Sequence, residues 1–301
     1  MREKKRTSAI TSTSEHGVSE RVQHDSSEFY NSKLYLGLPV EGDVGEENSV
    51  PDELINQIIC QSSESIKQLP NNCIHLCITS PPYNVGKSYE DVETLDEYFK
   101  SMESVFSEIY RVLSPGGRLA INLANLGRKP YLPMVSFFNN ILLKIGFLMR
   151  GEIIWDKAAS AAPSVAWGSW LSPSNPVLRD VHEYILVFSK GSFGRKNKSD
   201  KNKTATIEKT EFMEWTKSVW KFPTERASKV GHPAPFPVEL PRRIIKLYSY
   251  TNDVILDPFA GSCTTGIAAI EQGRKYICID NNSDYIQLGK ERIQKYLEDS
   301  N

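Results

Sequence analysis

The chain has 301 residues, 40% of them hydrophobic and 24% charged, with a formal net charge of −1. That length and balance suit one large α/β domain carrying an inserted region, or two small domains, with a sizeable core. The near-zero charge argues neither for nor against nucleic acid, because binding depends on local patches rather than on the total. The five cysteines, Cys60, Cys73, Cys77, Cys263 and Cys278, form no CxxC pair and no zinc-spaced cluster. No metal site is expected, and free thiols suit a reducing cytoplasm. The opening MREKKRTSAITSTSEHG lacks the apolar core of a secretory signal. The apolar stretch over 141–148 is broken by Lys144 and Gly146, so no membrane span is expected.

Residues 1–30 are polar and aperiodic and read as a mobile tail. Residues 31–56, with a short apolar run and then EGDVGEEN, read as a loosely packed arm. From residue 57 the pattern changes. INQIICQ, CIHLCITS, GGRLAINL, EIIWDK and EYILVFSK are short runs rich in Ile, Val and Leu and bounded by turn residues, which predicts strands. Between the second and third, Tyr98, Met102, Val105, Phe106, Ile109 and Leu113 recur at helical spacing ahead of an SPGG stop. A second helix is predicted over 133–143.

Regularity weakens between Lys157 and Gly231. SAAPSVAWGSWLSPSNPVLRD is rich in Pro, Ser and Trp, and SKGSFGRKNKSDKNK has six basic residues against one acidic. Such irregular stretches in a compact domain are functional or disordered. The last third returns to alternation: a helix in FPVELPRRIIKLYS, a strand in DVILDPF, a helix in TGIAAIEQG, a strand in KYICID and a final amphipathic helix in DYIQLGKERIQKYL. The expected fold is therefore α/β, a doubly wound and mainly parallel sheet.

Two segments carry chemistry. In VILDPFAGSCTTGIAAIEQGRKYICID a strand runs through a small-residue turn into a helix and a second strand. Gly261 and Ser262 permit close approach of a ligand to the turn. Asp280 closes the second strand about twenty residues after the turn, where a carboxylate accepts from the hydroxyls of a ribose. Asp257 is placed to face a cationic ligand group. This reading points to an adenosine-containing cofactor, without separating NAD from S-adenosylmethionine; the alternative is a plain structural turn. In CIHLCITSPPYN, Ser80, Pro81, Pro82 and Tyr83 follow a buried strand. The two prolines remove N–H donors and leave carbonyls, which only accept. A loop of acceptors beside an aromatic ring suits a flat amine, with the ring stacking on Tyr83. Acceptors aimed at the two amine hydrogens free its delocalised lone pair for direct displacement at a sulfonium methyl. The bland alternative is a strand end with a rim aromatic.

Together and in this order, ITSPPYN, HEYILVFSK, HPAPFP and LDPFAGSCTT resemble the β-type DNA amino-methyltransferases of bacterial restriction–modification systems, over about 56–297. The resemblance implies a Rossmann-like fold with permuted motif order and S-adenosyl-L-methionine as cofactor. Ser80, Pro81, Pro82 and Tyr83 match the catalytic motif. Asp257, Phe259, Gly261, Ser262, Thr264 and Thr265 match the cofactor loop, Asp280 the ribose-binding acid, and His232 and Pro233 the segment near the methionine end. Ser before Pro-Pro resembles the N4-cytosine members, with N6-adenine as the alternative base. Cys263 replaces the usual second glycine of the cofactor loop, and Gln61 stands where many members carry an aspartate beside the cofactor's adenine. The implied organisation is a catalytic half over 57–157, target-recognition insertions over 158–231 around a strand at 182–190, and a cofactor half over 232–301.

A target amine reached in a crevice implies a flipped base in double-stranded DNA. Lys190, Arg195, Lys196, Lys198, Lys201 and Lys203 are candidates for phosphate contacts, and Trp167, Trp170 and Arg179 for contact with the duplex or the base. A paired restriction endonuclease and a homodimer are the partners implied. A C5-cytosine mechanism is rejected because none of the five cysteines follows a proline. An RNA or protein amine methyltransferase and a non-catalytic nucleotide-binding protein remain as rivals.

Overall fold

The computed structural model describes residues 33–82, 94–127, 130–157, 168–195, 203–225 and 236–299. The expected tail over 1–30 lies outside them. Residues 33–38 stand as a unit of their own around the 3-10 turn Lys33–Tyr35. The second unit begins at Pro39.

That unit is built on one eight-stranded sheet. In chain order the strands are β1 (Gln57–Cys60), β2 (Ile74–Thr79), β3 (Leu113–Leu123), β4 (Leu148–Asp156), β5 (His182–Ser189), β6 (Val219–Lys221), β7 (Val254–Asp257) and β8 (Lys275–Asp280). Their spatial order is β1-β8-β7-β2-β3-β5-β4-β6. Of these eight, β5 alone runs antiparallel to its neighbours. From β7 the chain winds outward to β8, and from β2 it winds the other way to β3. Between β7 and β2 the winding reverses, which is where open α/β sheets hold ligands at the carboxyl ends of their strands.

The helices are α1 (Leu95–Val112), α2 (Met134–Ile145), α3 (Lys209–Trp215), α4 (Glu239–Tyr248), α5 (Thr264–Glu271) and α6 (Ser283–Asp299). Thr94 caps α1 in a reciprocal box with Glu97, and Tyr98, Met102, Val105, Phe106 and Ile109 are buried, as their spacing predicts. They join Phe138 and Leu142 of α2 on one face of the sheet. On the other face Leu240, Ile244 and Ile245 of α4 meet Ile267, Ala268 and Ala269 of α5. Strand β2 is therefore covered on both sides, and all six of its residues are buried. Among the described residues no helix is long and apolar enough to cross a membrane.

Two expectations are corrected. The interval 158–231 is not irregular throughout: α3 and β6 belong to the sheet's second core through buried Trp215 and Trp220. Both elements are too short to show a period. The stretch 39–50 is not loosely packed either. Val50 joins the core, Gly42 N–H donates to Gly191 O at 2.8 Å, and Glu47 enters an ion network at the amino ends of the strands.

There His75 Nδ1 accepts from Val254 N–H at 2.8 Å, so its proton sits on Nε2 facing Glu47 at 3.0 Å. Asp253 is fully buried and grips the Arg195 guanidinium through both oxygens. Lys203 lies 3.2 Å from Glu47 and 3.5 Å from Asp253. The bond to His75, reinforced by Arg195 and Lys203, holds the Glu47 carboxyl down at about 2. A depressed acid stabilises the fold above its unfolded value of 4.5, and that contribution disappears as pH falls towards 2. Glu47 is a third exposed, so after screening Glu47→Gln is expected to cost about 1–2 kcal/mol at neutral pH. It should also flatten the acid limb of a denaturation series. Parallel acid limbs in variant and parent would rule this out.

Candidate active site

Strands β2 and β7 pair in parallel, with Cys77 opposite Leu256. Their carboxyl-end loops therefore leave the sheet side by side, although 178 residues separate Thr79 from Asp257. Thr79 Oγ1 donates to Asp257 Oδ1 at 2.8 Å, and Thr265 Oγ1 donates to Oδ2 at 2.6 Å. Phe259 N–H adds a third donor at 3.2 Å. Asp257 is 1% exposed, and burial pushes its carboxyl up to about 6 against these bonds. The expectation that it faces a cationic ligand is thus corrected: its carboxylate is occupied from within, and it braces the two loops against each other.

The turn after β7 follows from its small residues. Gly261 takes φ +48° and donates its N–H to Asp280 Oδ2 at 2.8 Å; Asn282 N–H donates to Oδ1 at 2.9 Å. Asp280 ends β8 half-buried, and burial raises its carboxyl despite those amide bonds. Ser262, Thr264 and Thr265 are buried, and Arg292 of α6 donates to Ser262 O and Thr264 Oγ1. These three shape the loop from beneath. Phe259 packs partly buried against the first core.

Cys263 adopts φ +58°, a left-handed conformation that glycine would take without strain. Its side chain is fully buried and lies against Gly289 of α6, turned into the core. The thiol therefore does not narrow the crevice, contrary to what a side chain at that position suggests in sequence. Gln61, just past β1, donates its own N–H to Asp280 O at 2.9 Å, and its buried Nε2 has no partner among the described residues.

Ser80 and buried Pro81 follow β2 at this same end of the sheet. Tyr98 Oη donates to Pro82 O at 2.7 Å, which removes one of the expected free acceptors and ties the loop to α1. Tyr83 lies outside the described residues, as do His232 and Pro233, Trp167, and Lys196, Lys198 and Lys201.

The remaining candidates for DNA contact divide. Trp170 and Arg179 are exposed on the segment between β4 and β5, which leaves and enters the sheet at Ser80's end. Lys190, Arg195 and Lys203 stand at the opposite end and are corrected. Lys190 is 4% exposed, donates to Asn72 Oδ1 at 2.6 Å and to Arg111 O at 3.0 Å, and is pushed down to about 8 by burial. Arg195 and Lys203 belong to the ion network described above. A run of basic residues looks the same in sequence whether solvated or paired, because its acidic partners Glu47 and Asp253 are remote in the chain.

Sequence reasoning missed Thr79 and Tyr98. Thr79 carried a signal, as a hydroxyl at the end of an otherwise apolar strand; Tyr98 carried none, being one more apolar position on α1.

The DNA methylase family matches residues 74–291, well over half the chain. The type II methyltransferase M.ScaI of Streptomyces caespitosus is 30% identical over 77% of this chain and 79% of its own length. The DNA adenine methyltransferase YhdJ of Escherichia coli is 30% identical over 76% and 79% respectively. Among solved structures, TTHA0409 of Thermus thermophilus in complex with S-adenosyl-L-methionine superposes with a TM-score of 0.66 at 28% identity, covering 80% of this chain and 94% of that one. The cytosine-N4-specific PvuII methyltransferase shares the fold, with a TM-score of 0.63 at 18% identity over 85% and 94%. One antiparallel strand in a doubly wound sheet, a Ser-Pro-Pro loop braced against a Gly-Ser turn at its winding reversal, and a match over residues 74–291 place the chain in the DNA methylase family.

Proposed function

We propose that this protein methylates the N4 amino group of cytosine at a specific site in double-stranded DNA, by base flipping and direct displacement. The methyl donor is S-adenosyl-L-methionine, which supplies an electrophilic methyl on a sulfonium. The observation that carries the reading is the bracing of Ser80's loop against the Gly261 turn through Thr79 and Asp257. It joins an acceptor loop and a cofactor loop at one winding reversal. The residues fit the cofactor: Asp280 keeps lone pairs for ribose hydroxyls, and the orphaned Gln61 amide offers a donor to a purine ring nitrogen.

In this reading Ser80 and the Pro81 carbonyl accept from the target amine, Tyr83 stacks on the flipped base, and the crevice excludes water. The cofactor, when bound, would supply its methyl to the amine nitrogen with the thioether as leaving group, and the proton lost from the methylated amine would pass to solvent on product release. Trp170 and Arg179 contact the duplex. The product protects DNA from a partner endonuclease. N6-adenine methylation is the second reading, favoured by the likeness to an adenine methyltransferase. Nucleoside analysis of DNA from cells expressing the protein separates them. N4-methylcytosine is expected, N6-methyladenine would overturn the choice of base, and unmodified DNA would overturn the function.

A further inference from the structure

A serine before Pro-Pro raises a problem that a carboxylate would not. A carboxylate only accepts, whereas a hydroxyl also donates, and cytosine presents an acceptor, N3, next to its N4 amine. If Ser80 turned its proton to the base, it would offer a donor where the chemistry needs an acceptor. Something must take that proton.

The neighbouring strand supplies a candidate. Ile78 of β2 pairs with Ala120 of β3 and Thr79 with Ile121, where the ladder ends; Ser80 and Asn122 are the residues that follow on each side. Ile78 and Ala120 both face the second core, and Ser80 and Asn122 lie two residues further on, hence on the same face. Asn122 is 4% exposed. Its Nδ2 donates to Glu183 Oε2 at 2.6 Å, and Glu183 Oε1 accepts from Lys157 Nζ at 2.5 Å. With the amide nitrogen turned to the carboxylate through one of its hydrogens, the carbonyl points the other way. That buried Oδ1 has no hydrogen-bond partner among the described residues, and buried acceptors are seldom left so. No hydrogen bond joins that oxygen to the Ser80 hydroxyl in this structure, so the contact requires Ser80 to swing to another rotamer.

We infer that Asn122 is a positioning residue for methyl transfer: its carbonyl accepts a hydrogen bond from the Ser80 hydroxyl, so that Ser80 presents only lone pairs to the target amine. Glu183, held by Lys157, fixes which way the amide faces. This rests on the amine-methylation reading above.

The test compares three forms of the full chain on unmethylated DNA. Asn122→Leu removes the acceptor at similar volume. The double exchange N122D/E183Q reverses the amide–carboxylate hydrogen bond, keeps the local charge and restores an acceptor facing Ser80. Asn122→Leu is expected to lower kcat by about tenfold or more, the scale of one hydrogen bond made in the transition state, with cofactor Kd and KM for DNA nearly unchanged. The double exchange should return kcat to within about threefold of the parent. A single variant at parent kcat, or a double variant as slow as Asn122→Leu, overturns the inference. If Asn122→Leu fails to fold, the double exchange still decides by its kcat. A parent chain that methylates no DNA removes the function and this inference together, whereas an active parent with insensitive variants removes the inference alone.

Discussion

Ser80→Ala is expected to lower kcat for methyl transfer by about 100- to 1000-fold, the cost of removing one preorganised group aimed at developing charge. The amine nitrogen gains positive charge as its lone pair reaches the methyl, so an acceptor on its hydrogen is worth more in the transition state than in the bound ground state. Binding should therefore barely change. In the proposed function the cofactor lies on the turn after β7, and that turn is braced through Thr79 and Asp257, not through the Ser80 hydroxyl. Single-turnover rates with saturating DNA, beside equilibrium cofactor binding, check both halves. A kcat within about threefold of the parent would show that the loop's carbonyls suffice and that Ser80 is a spacer. A loss of cofactor affinity equal to the loss of rate would show instead that the substitution had disturbed the turn.

The second large effect belongs to the core beneath the turn after β7. A Cβ added at Gly289 would lie 2.4 Å from Cys263 Sγ and 3.2 Å from Cys263 Cβ. Cys263 has nowhere to retreat. It is fully buried, its N–H donates to Ala260 O at 2.7 Å, and its carbonyl accepts from Ile267 N–H at 3.1 Å. Gly289→Ala should thus destabilise the fold by about 2 kcal/mol, since overpacking costs about 1–3 kcal/mol and exceeds the gain of about 1 kcal/mol from replacing a helical glycine. Any relief displaces the residue that follows Gly261 and Ser262, so cofactor affinity should fall as well. Cys263→Gly removes both the obstructing sulfur and the positive-φ strain. In the double variant it should recover most of the loss, giving a coupling of about 1–3 kcal/mol in a urea-denaturation cycle. Additive effects would show that the two positions do not touch.

The sequence by itself determined the architecture and marked the two loops that end β2 and β7. Runs rich in isoleucine, leucine and valine such as CIHLCITS before Pro81 and VILD before Pro258 are local signals, read from the period and length of the run. The helical spacing of Tyr98, Met102, Val105, Phe106 and Ile109 is equally local, and all five are buried where that spacing puts them. Gly261 and Asp280 also declared their relation, because a strand, a turn and a helix fix the distance between them.

What only the tertiary structure decided is which polar groups meet. Arg195 and Lys203 look like a nucleic-acid patch until Asp253 and Glu47 arrive from distant parts of the chain and enclose them. Asp257 looks like a ligand contact until Thr79 and Thr265 fill both its oxygens. Asn122 is one polar residue in a strand until the pairing of β3 with β5 brings Glu183 to its amide. The difference is physical. Apolar burial is non-directional and depends on composition and period, which a short window contains. A hydrogen bond or ion pair depends on a partner within about 3 Å, and in a sheet whose neighbours are 178 residues apart no window of sequence contains that partner.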